Sequence, residues 1–118
     1  MMNITPESVL SALDNSTRLR CILLLMEHGE LCVCELTHVI GAAQPNMSRN
    51  LGQLREAGLV IDRRQGQWIY YQINPDLPLW VSDLITATQK GAEKLDPYQS
   101  DKEVLSIMPG RPGANCCA

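Results

Sequence analysis

Two cysteines separated by one residue, Cys32 and Cys34, are the side chains in this sequence best suited to bind a soft ion. Thiolate is the form that binds such ions, and a helix N-terminus lowers the pKa of a thiol. Residues two apart in an α-helix point about 200° away from each other, so these thiols can share one ion only where the backbone is extended or frayed. The pair stands at a predicted helix start, and we expect ion binding to distort that first turn. The alternative is a pair of small core-facing cysteines.

The other three cysteines are predicted to lie in different environments. Cys21 lies in an aliphatic run and is predicted to be a core residue. Cys116 and Cys117 are adjacent near the C-terminus, and the sequence leaves open whether they bind a thiophilic ion or are exposed thiols. We expect the protein to be cytosolic, where cysteines indicate metal or redox chemistry more than a disulfide framework.

The stretch after the cysteine pair has the pattern of a helix-turn-helix. A short helix is predicted over residues 35–40, and Gly41 is suited to a left-handed cap at its end. A second helix starts at Gln44, with Pro45 in its first turn. Its buried face is predicted from the helical spacing of Met47, Leu51 and Leu54.

The polar face of the second helix has the chemistry of DNA recognition. Glutamine and asparagine can pair with adenine, arginine with guanine, and serine with a base edge or a phosphate. The alternative is a solvated helix face. The candidate DNA-binding residues are Gln44, Asn46, Ser48, Arg49, Asn50 and Gln53 of this helix, and Arg63, Arg64 and Gln67 of the segment that follows.

That segment, residues 59–73, predicts a β-hairpin with Gly66 in the turn. Alternation puts Trp68, Tyr70 and Gln72 on one face and Ile69, Tyr71 and Ile73 on the other. Arg63 and Arg64 are predicted at the tip, where phosphate or the minor groove is within reach. A hairpin after a helix-turn-helix makes a winged helix.

Further helices are predicted on both sides of this unit. Thr5 can cap a first helix, and Asn15 or Ser16 a second over residues 17–27. Its Arg18 and Arg20 are expected at the solvated surface, and the alternative is contact with phosphate or an acidic neighbour. Asp76 can cap a helix over residues 77–90. Its apolar stripe is expected to form a dimer interface together with the first helix; the stripe consists of Leu77, Val81, Leu84, Ile85 and Thr88.

The predicted fold is therefore mainly α with a β-hairpin: a winged helix-turn-helix of about five helices and a two-stranded wing. Residues 1–91 are expected to form one DNA-binding and dimerisation domain. Residues 92–118 are rich in proline and glycine and are expected to form a flexible tail ending in the Cys-Cys pair, with one helical turn around residues 104–108.

Composition and charge narrow the functional classes. The longest strongly apolar run is far too short to span a bilayer, and a secretory signal is not recognisable. Net charge is −3, yet residues 44–71 carry four arginines against two acidic residues, a local +2. A basic patch on an acidic body predicts weak nonspecific DNA binding, with specificity left to base contacts and dimer geometry.

Three segments, GELCVCEL, QPNMSRNLGQLREAGLV and DRRQGQWIYYQI, resemble the arsenic-resistance repressor (ArsR) family of winged-helix metalloregulators. The resemblance covers roughly residues 6–91. It implies that Cys32 and Cys34 bind trivalent arsenic or antimony, that Gln44, Ser48 and Arg49 belong to the DNA-reading helix, and that the arginine-rich hairpin is the wing. Many members carry a third cysteine where this chain has Thr37, and often a histidine where it has Asn50.

The hypothesis is a homodimeric repressor that binds double-stranded operator DNA and leaves it when trivalent arsenic or antimony binds Cys32 and Cys34. The third position on the ion is left to Cys116 or Cys117, to a small molecule or hydroxide, or to the methyl group of a methylated arsenical; we expect a two-sulfur site with a dispensable tail. The alternative is a thiol redox-sensing repressor on the same fold. An enzyme is not expected, because the sequence has no Cys-x-x-Cys motif and no phosphate-cradling glycine loop.

Overall fold

Two capped helices begin the fold in the computed structural model, which describes residues 4–107. Helix α1 (Pro6–Leu13) starts with a capping box in which the Ser8 N–H donates to Thr5 Oγ1 at 3.1 Å and the Thr5 N–H donates to Ser8 Oγ at 3.0 Å. Helix α2 (Ser16–His28) is capped by Asn15, whose Oδ1 accepts from the Arg18 N–H at 3.0 Å. Both predicted helix starts are confirmed.

The helix-turn-helix is formed by α3 (Val33–Ile40) and α4 (Gln44–Glu56). Gly41 ends α3 in the left-handed conformation with φ 81°, a region that favours glycine, which confirms the predicted cap. Helix α4 buries the predicted apolar face, formed by Met47, Leu51 and Leu54.

Three strands form one antiparallel sheet in the order β1–β3–β2. Strands β2 (Val60–Gln65) and β3 (Trp68–Ile73) are the predicted hairpin, with Gly66 at φ 63° in the turn. Strand β1 (Leu31–Cys32) was not predicted. It has two residues, too few for an alternating pattern, and exists because Leu31 pairs with Tyr71 and Cys32 with Tyr70.

The two faces of β3 pack against different parts of the protein, as alternation predicts. Ile69, Tyr71 and Ile73 pack on the main hydrophobic core. Trp68 and Tyr70 pack instead with the cysteine pair, in a second small apolar cluster. The hairpin therefore joins the core on one face to the thiols on the other.

Helix α5 (Leu79–Ala92) starts two residues later than predicted. Pro78 precedes it without a side-chain cap, so the expected cap by Asp76 is wrong. Part of the apolar stripe on this helix is buried without a second subunit, because Val81 and Ile85 lie in the core of their own chain. The expectation that the whole stripe would be exposed in a monomer is also wrong.

Helix α6 (Tyr98–Ser106) lies inside the segment expected to be a flexible tail. Leu105 is fully buried in the core, and the buried Asp101 accepts from Arg20 Nε at 2.8 Å and from Arg20 Nη2 at 2.7 Å. The expectation of a tail from residue 92 onward therefore does not hold through residue 106, and a solvated Arg20 is wrong. The helical turn expected around residues 104–108 overlaps only the end of this helix. Composition did not predict its full length because its anchor is an ion pair across 81 positions of sequence.

The predicted class, a mainly α winged helix-turn-helix, is confirmed, with six helices and three strands within residues 4–107. In that part of the chain, every helix is too short or too polar to cross a bilayer.

Candidate functional site

The cysteine pair is preorganised, with 2.8 Å between the Sγ atoms of Cys32 and Cys34. Cys32 ends β1 and is the N-cap of α3, and its backbone is extended with φ −72° and ψ 148°. Cys34 is already in the first helical turn. Because the chain enters the helix from a strand, the two side chains converge without fraying. The extended backbone that the sequence analysis gave as one of its two conditions is therefore present at Cys32, and distortion of the first turn on ion binding stays a prediction.

The sulfur of Cys32 also caps the helix. The Cys34 N–H donates to Cys32 Sγ at 3.4 Å, and the Cys32 N–H donates to Glu35 Oε1 at 2.8 Å. This is the reciprocal arrangement of a capping box, with a thiol in the place usually taken by a hydroxyl. Any ligand that binds Cys32 Sγ therefore acts on the start of α3.

Burial raises the pKa of the Cys32 thiol, and this effect outweighs the opposing backbone hydrogen bonds from Cys34 and Glu35. The expected lowering by the helix N-terminus is thus not the net result. Desolvation of the thiolate dominates because Cys32 lies almost wholly inside the protein. A ligand at this site consequently meets a thiol and must replace its proton.

Cys21 has a different environment, as predicted. It lies in the main core, 3.5 Å from the Met47 sulfur, and burial raises the pKa of its thiol to about 12. A thiol that stays protonated and shielded from water is chemically inert. Cys21 is therefore a natural reference for experiments on the cysteine pair.

A cleft of about 300 Å³ opens beside the pair. Its walls come from the start of α3, the start of α4 and the wing, so it joins the thiols to both predicted DNA-binding elements. The residues that line it are Cys32, Val33, Cys34, Gln44, Ser48, Gln67, Trp68 and Ile69. A group bound to the sulfurs would lie within one cavity of the candidate base-reading residues.

The position of the missing family cysteine does not supply a ligand. Thr37 Oγ1 donates to the Val33 carbonyl at 2.9 Å, so its hydroxyl is used within α3. Within residues 4–107, the side chains of His, Cys, Asp and Glu form no group of three or more arranged to hold an ion. Cys116 and Cys117, the candidate third ligands, lie outside the described residues.

The outer face of α4 carries most of the candidate DNA-binding residues in exposed positions. These are Gln44, Asn46, Ser48, Arg49 and Gln53. Arg49 makes no ion pair with any of residues 4–107. This face is thus polar and exposed to solvent.

Asn50 is the exception, with only 8% of its surface exposed. Its Nδ2 donates to the Asn46 carbonyl at 2.9 Å, and its Oδ1 accepts from Arg18 Nη1 at 3.2 Å. The same Arg18 nitrogen bonds Gln53 Oε1. Asn50 therefore links α4 to α2, and its amide is engaged within the protein and not placed to contact a base. Arg18, expected to be solvated, is instead a support of the reading helix.

The two wing arginines have different roles in the structure. Arg63 does not extend from the tip: its Nε and Nη2 each donate to the Glu30 carboxylate at 2.7 Å, and its guanidinium lies 4.6 Å from the centre of the Tyr70 ring. Arg64 is exposed and has no ion pair within residues 4–107. Gly66 and Gln67 form the actual tip. The predicted tip position is therefore wrong for both arginines, since Arg63 is opposite Tyr70 and Arg64 is opposite Ile69 within the strands.

Two contributors to the site were missed at the sequence level. The role of Glu30 could not be predicted, because a single acidic residue before a strand of two residues belongs to no recognisable sequence motif. Tyr70 was placed on the correct face, yet its contact with the cysteines follows from its pairing with Cys32. That pairing joins residues 38 positions apart, which is beyond the range of periodicity.

Comparison with known proteins agrees with this architecture. Residues 15–62 match the family described as bacterial regulatory protein, arsR family. The chain is 44% identical over 117 residues to the arsenic resistance transcriptional regulator ArsR2 of Pseudomonas putida, covering 97% of this chain and 99% of that protein. It is 44% identical over 85 residues to the arsenical resistance operon repressor of Escherichia coli, covering 72% of this chain and 73% of that one.

A similar fold is found in the crystal structure of the AntR antimony-specific transcriptional repressor. The TM-score is 0.62 at 25% identity, over 79% of this chain and 86% of that chain.

Proposed function

This chain belongs to the ArsR family of bacterial transcriptional regulators and is a DNA-binding repressor, not an enzyme; on that premise we propose that it is a homodimer that leaves its operator when trivalent arsenic or antimony binds Cys32 and Cys34. The observation that carries this proposal is the pair of sulfurs, 2.8 Å apart, in a cleft walled by α4 and the wing. Relatives named for arsenic resistance and a structural neighbour named for antimony support the choice of ligand.

The donor chemistry favours a thiophilic metalloid. A structural zinc site usually takes four ligands, whereas the described part of the chain brings two sulfurs together. In the reduced protein, where Cys32 and Cys34 are both thiols, each thiol gives its proton to one departing hydroxide of arsenious acid, As(OH)₃, so two As–S bonds form and two water molecules leave. The third As–O bond stays unless another thiol replaces it, and Cys116 and Cys117 are the chain's own candidates.

Ligand binding acts on α3 through the helix cap. Two thiolates on one ion are held roughly 3.5 Å apart if the bonds are as long as those of zinc–sulfur sites. The sulfurs would then separate from 2.8 Å, and Cys32 Sγ would exchange its bond to the Cys34 N–H for a bond to the ion. Helix α3 packs directly on α4. A shift of its first turn therefore reaches the reading helix.

Operator binding is assigned to the exposed face of α4 and to the wing. Arg49 supplies base contacts and Arg64 phosphate contacts, with Gln44 and Ser48 near the start of the helix. One helix-turn-helix specifies few base pairs, so two copies are expected to read half-sites about 34 Å apart on one face of the duplex.

The dimer interface is proposed on α1 and α5. Leu10 on α1 and Leu79 and Trp80 on α5 are large apolar side chains left exposed, with 76% of Leu79 accessible. Their burial against a second copy would remove apolar surface from water.

The test measures operator release by arsenite for Cys32→Ser and Cys34→Ser under strict reduction. Serine is a good N-cap, so Cys32→Ser keeps α3 folded. Both variants should bind operator within about twofold of the parent and stay bound when arsenite is added. Cys21→Ala is the matched control and should respond like the parent. Normal release from either serine variant would contradict the two-sulfur site.

A redox switch is the second candidate, favoured by the short distance between the sulfurs. A peroxide would oxidise one thiolate to a sulfenic acid with loss of hydroxide, and the second thiol would then form a disulfide with loss of water. Peroxide without arsenite and arsenite under strict reduction separate the two mechanisms. Release of the protein from operator DNA by peroxide alone would favour the redox mechanism.

A further inference from the structure

A row of side chains crosses the three-stranded sheet from the thiol pair to the outer strand of the wing. Cys32 on β1 is directly opposite Tyr70 on β3, and Tyr70 is directly opposite Arg63 on β2. Residues opposite each other in antiparallel strands share a face, and their side chains touch. Tyr70 packs with both cysteines, and the Arg63 guanidinium lies over the Tyr70 ring at 4.6 Å.

The row is closed into a ring by Glu30. This residue stands two positions before Cys32, and its two carboxylate oxygens each accept a 2.7 Å hydrogen bond from Arg63. Arginine and carboxylate paired through two parallel bonds have a defined relative orientation, unlike a single-point ion pair. The strand that carries Cys32 is thus tied to β2 twice, through the Tyr70 ring and through Glu30.

We propose that Arg63 is a positioning residue of the metalloid response, which couples the thiol site to the wing, and not a phosphate contact. This proposal rests on the proposed function and concerns how metalloid binding at the cysteines changes the position of the wing. A ligand that spreads the two sulfurs moves Cys32 and the Tyr70 ring packed on it. Because Arg63 is stacked on that ring and held by Glu30, β2 must move with them.

The remaining contacts of Arg63 agree with this role. Its Nη1 donates to Gln65 Oε1 at 2.6 Å, so all three guanidinium nitrogens are engaged within the chain. The hydrogen bonds from Arg63 lower the pKa of Glu30, as expected for a carboxylate held by an arginine. Arg64, its neighbour, has no ion pair among residues 4–107. The two adjacent arginines therefore make a matched pair for experiment.

The experiment compares Arg63→Ala, Glu30→Gln and the control Arg64→Ala with the parent chain. Fluorescence anisotropy on operator DNA, with and without arsenite under reduction, gives the coupling ratio of the two dissociation constants. Isothermal titration calorimetry gives arsenite binding without DNA. The salt dependence of operator affinity counts phosphate contacts.

Arg63→Ala and Glu30→Gln should both keep arsenite binding and lose about fivefold or more of the coupling ratio, staying on DNA when arsenite is present. Arg64→Ala should keep the ratio and lower the salt slope by about one. Glu30→Gln is the stringent variant, since it leaves Arg63 in place.

The proposal is overturned if Arg63→Ala lowers the salt slope by about one with an unchanged coupling ratio, or if Glu30→Gln couples like the parent. A parent chain that arsenite does not release at all would refute the proposed function itself, and this is read from a separate arm of the same experiment.

Discussion

The ion pair that holds α6 gives a prediction with a definite size. Asp101→Asn removes the charge from a side chain that is 4% exposed and leaves the Arg20 guanidinium, 18% exposed, without its counter-charge. Removing one partner of a fully buried pair costs about 3–5 kcal/mol. Water still reaches Arg20, so we expect a loss of about 2–3 kcal/mol of unfolding free energy, which lowers Tm by roughly 10 °C in a chain of this size.

Thermal and urea unfolding followed by circular dichroism, with the protein reduced throughout, measure this loss. Glu103→Gln, on the exposed side of the same helix, is the control and should change stability by less than about 0.5 kcal/mol. The double variant Arg20→Met with Asp101→Leu should recover most of the loss, because an apolar pair leaves no unpaired charge. If Asp101→Asn unfolds within 0.5 kcal/mol of the parent, the anchoring role of the ion pair is refuted.

The buried residues of α6 limit where the chain can be cut without loss of the fold. Cutting the chain after Gly91 removes Ala92, Asp101 and Leu105, all buried, and should destabilise the fold rather than leave it intact. Cutting after Ile107 keeps α6 and removes only residues 108–118, with Cys116 and Cys117. The second truncation is therefore the valid test of a tail ligand: arsenite should still release that protein from operator, and loss of release would make one of these cysteines a true ligand.

Three further predictions concern other parts of the molecule. Arg49→Ala should weaken operator binding roughly tenfold or more and relax sequence preference, whereas Arg64→Ala should weaken operator and random DNA alike; titrations on both DNAs distinguish them. The pKa of Cys21 rises from 9.0 in the unfolded chain to about 12 in the fold. Its contribution to stability is therefore complete below pH 9 and is lost as pH rises toward 12. The free energy of unfolding of Cys21→Val should fall less steeply with pH over this range than that of the parent. Thr37→Cys adds a thiol one helical turn after Cys34 and should lower the arsenite concentration needed for half-release; an unchanged concentration would contradict a role for this position.

Local features of this protein were determined by the sequence itself. The caps at Thr5 and Asn15, the left-handed Gly41 and the turn at Gly66 depend on contacts within a few residues, so their residue types predict them. Alternation along β3 assigned its two faces correctly for the same reason. The motif around the cysteine pair indicated the family before any contact was known.

Tertiary structure decided which of these residues meet. The two thiols converge because Cys32 is drawn into a strand by Tyr70, and without that pairing nothing in the sequence separates an extended entry from a helical one. Arg18 bonds Asn50, so the Asn50 side chain points to α2 and not to DNA. Arg20 bonds Asp101 and so holds α6 on the core, in a segment expected to be a tail. Each of these contacts joins positions more than thirty residues apart, and long-range contacts form only when the whole core places both partners together, which helical and strand periods do not encode.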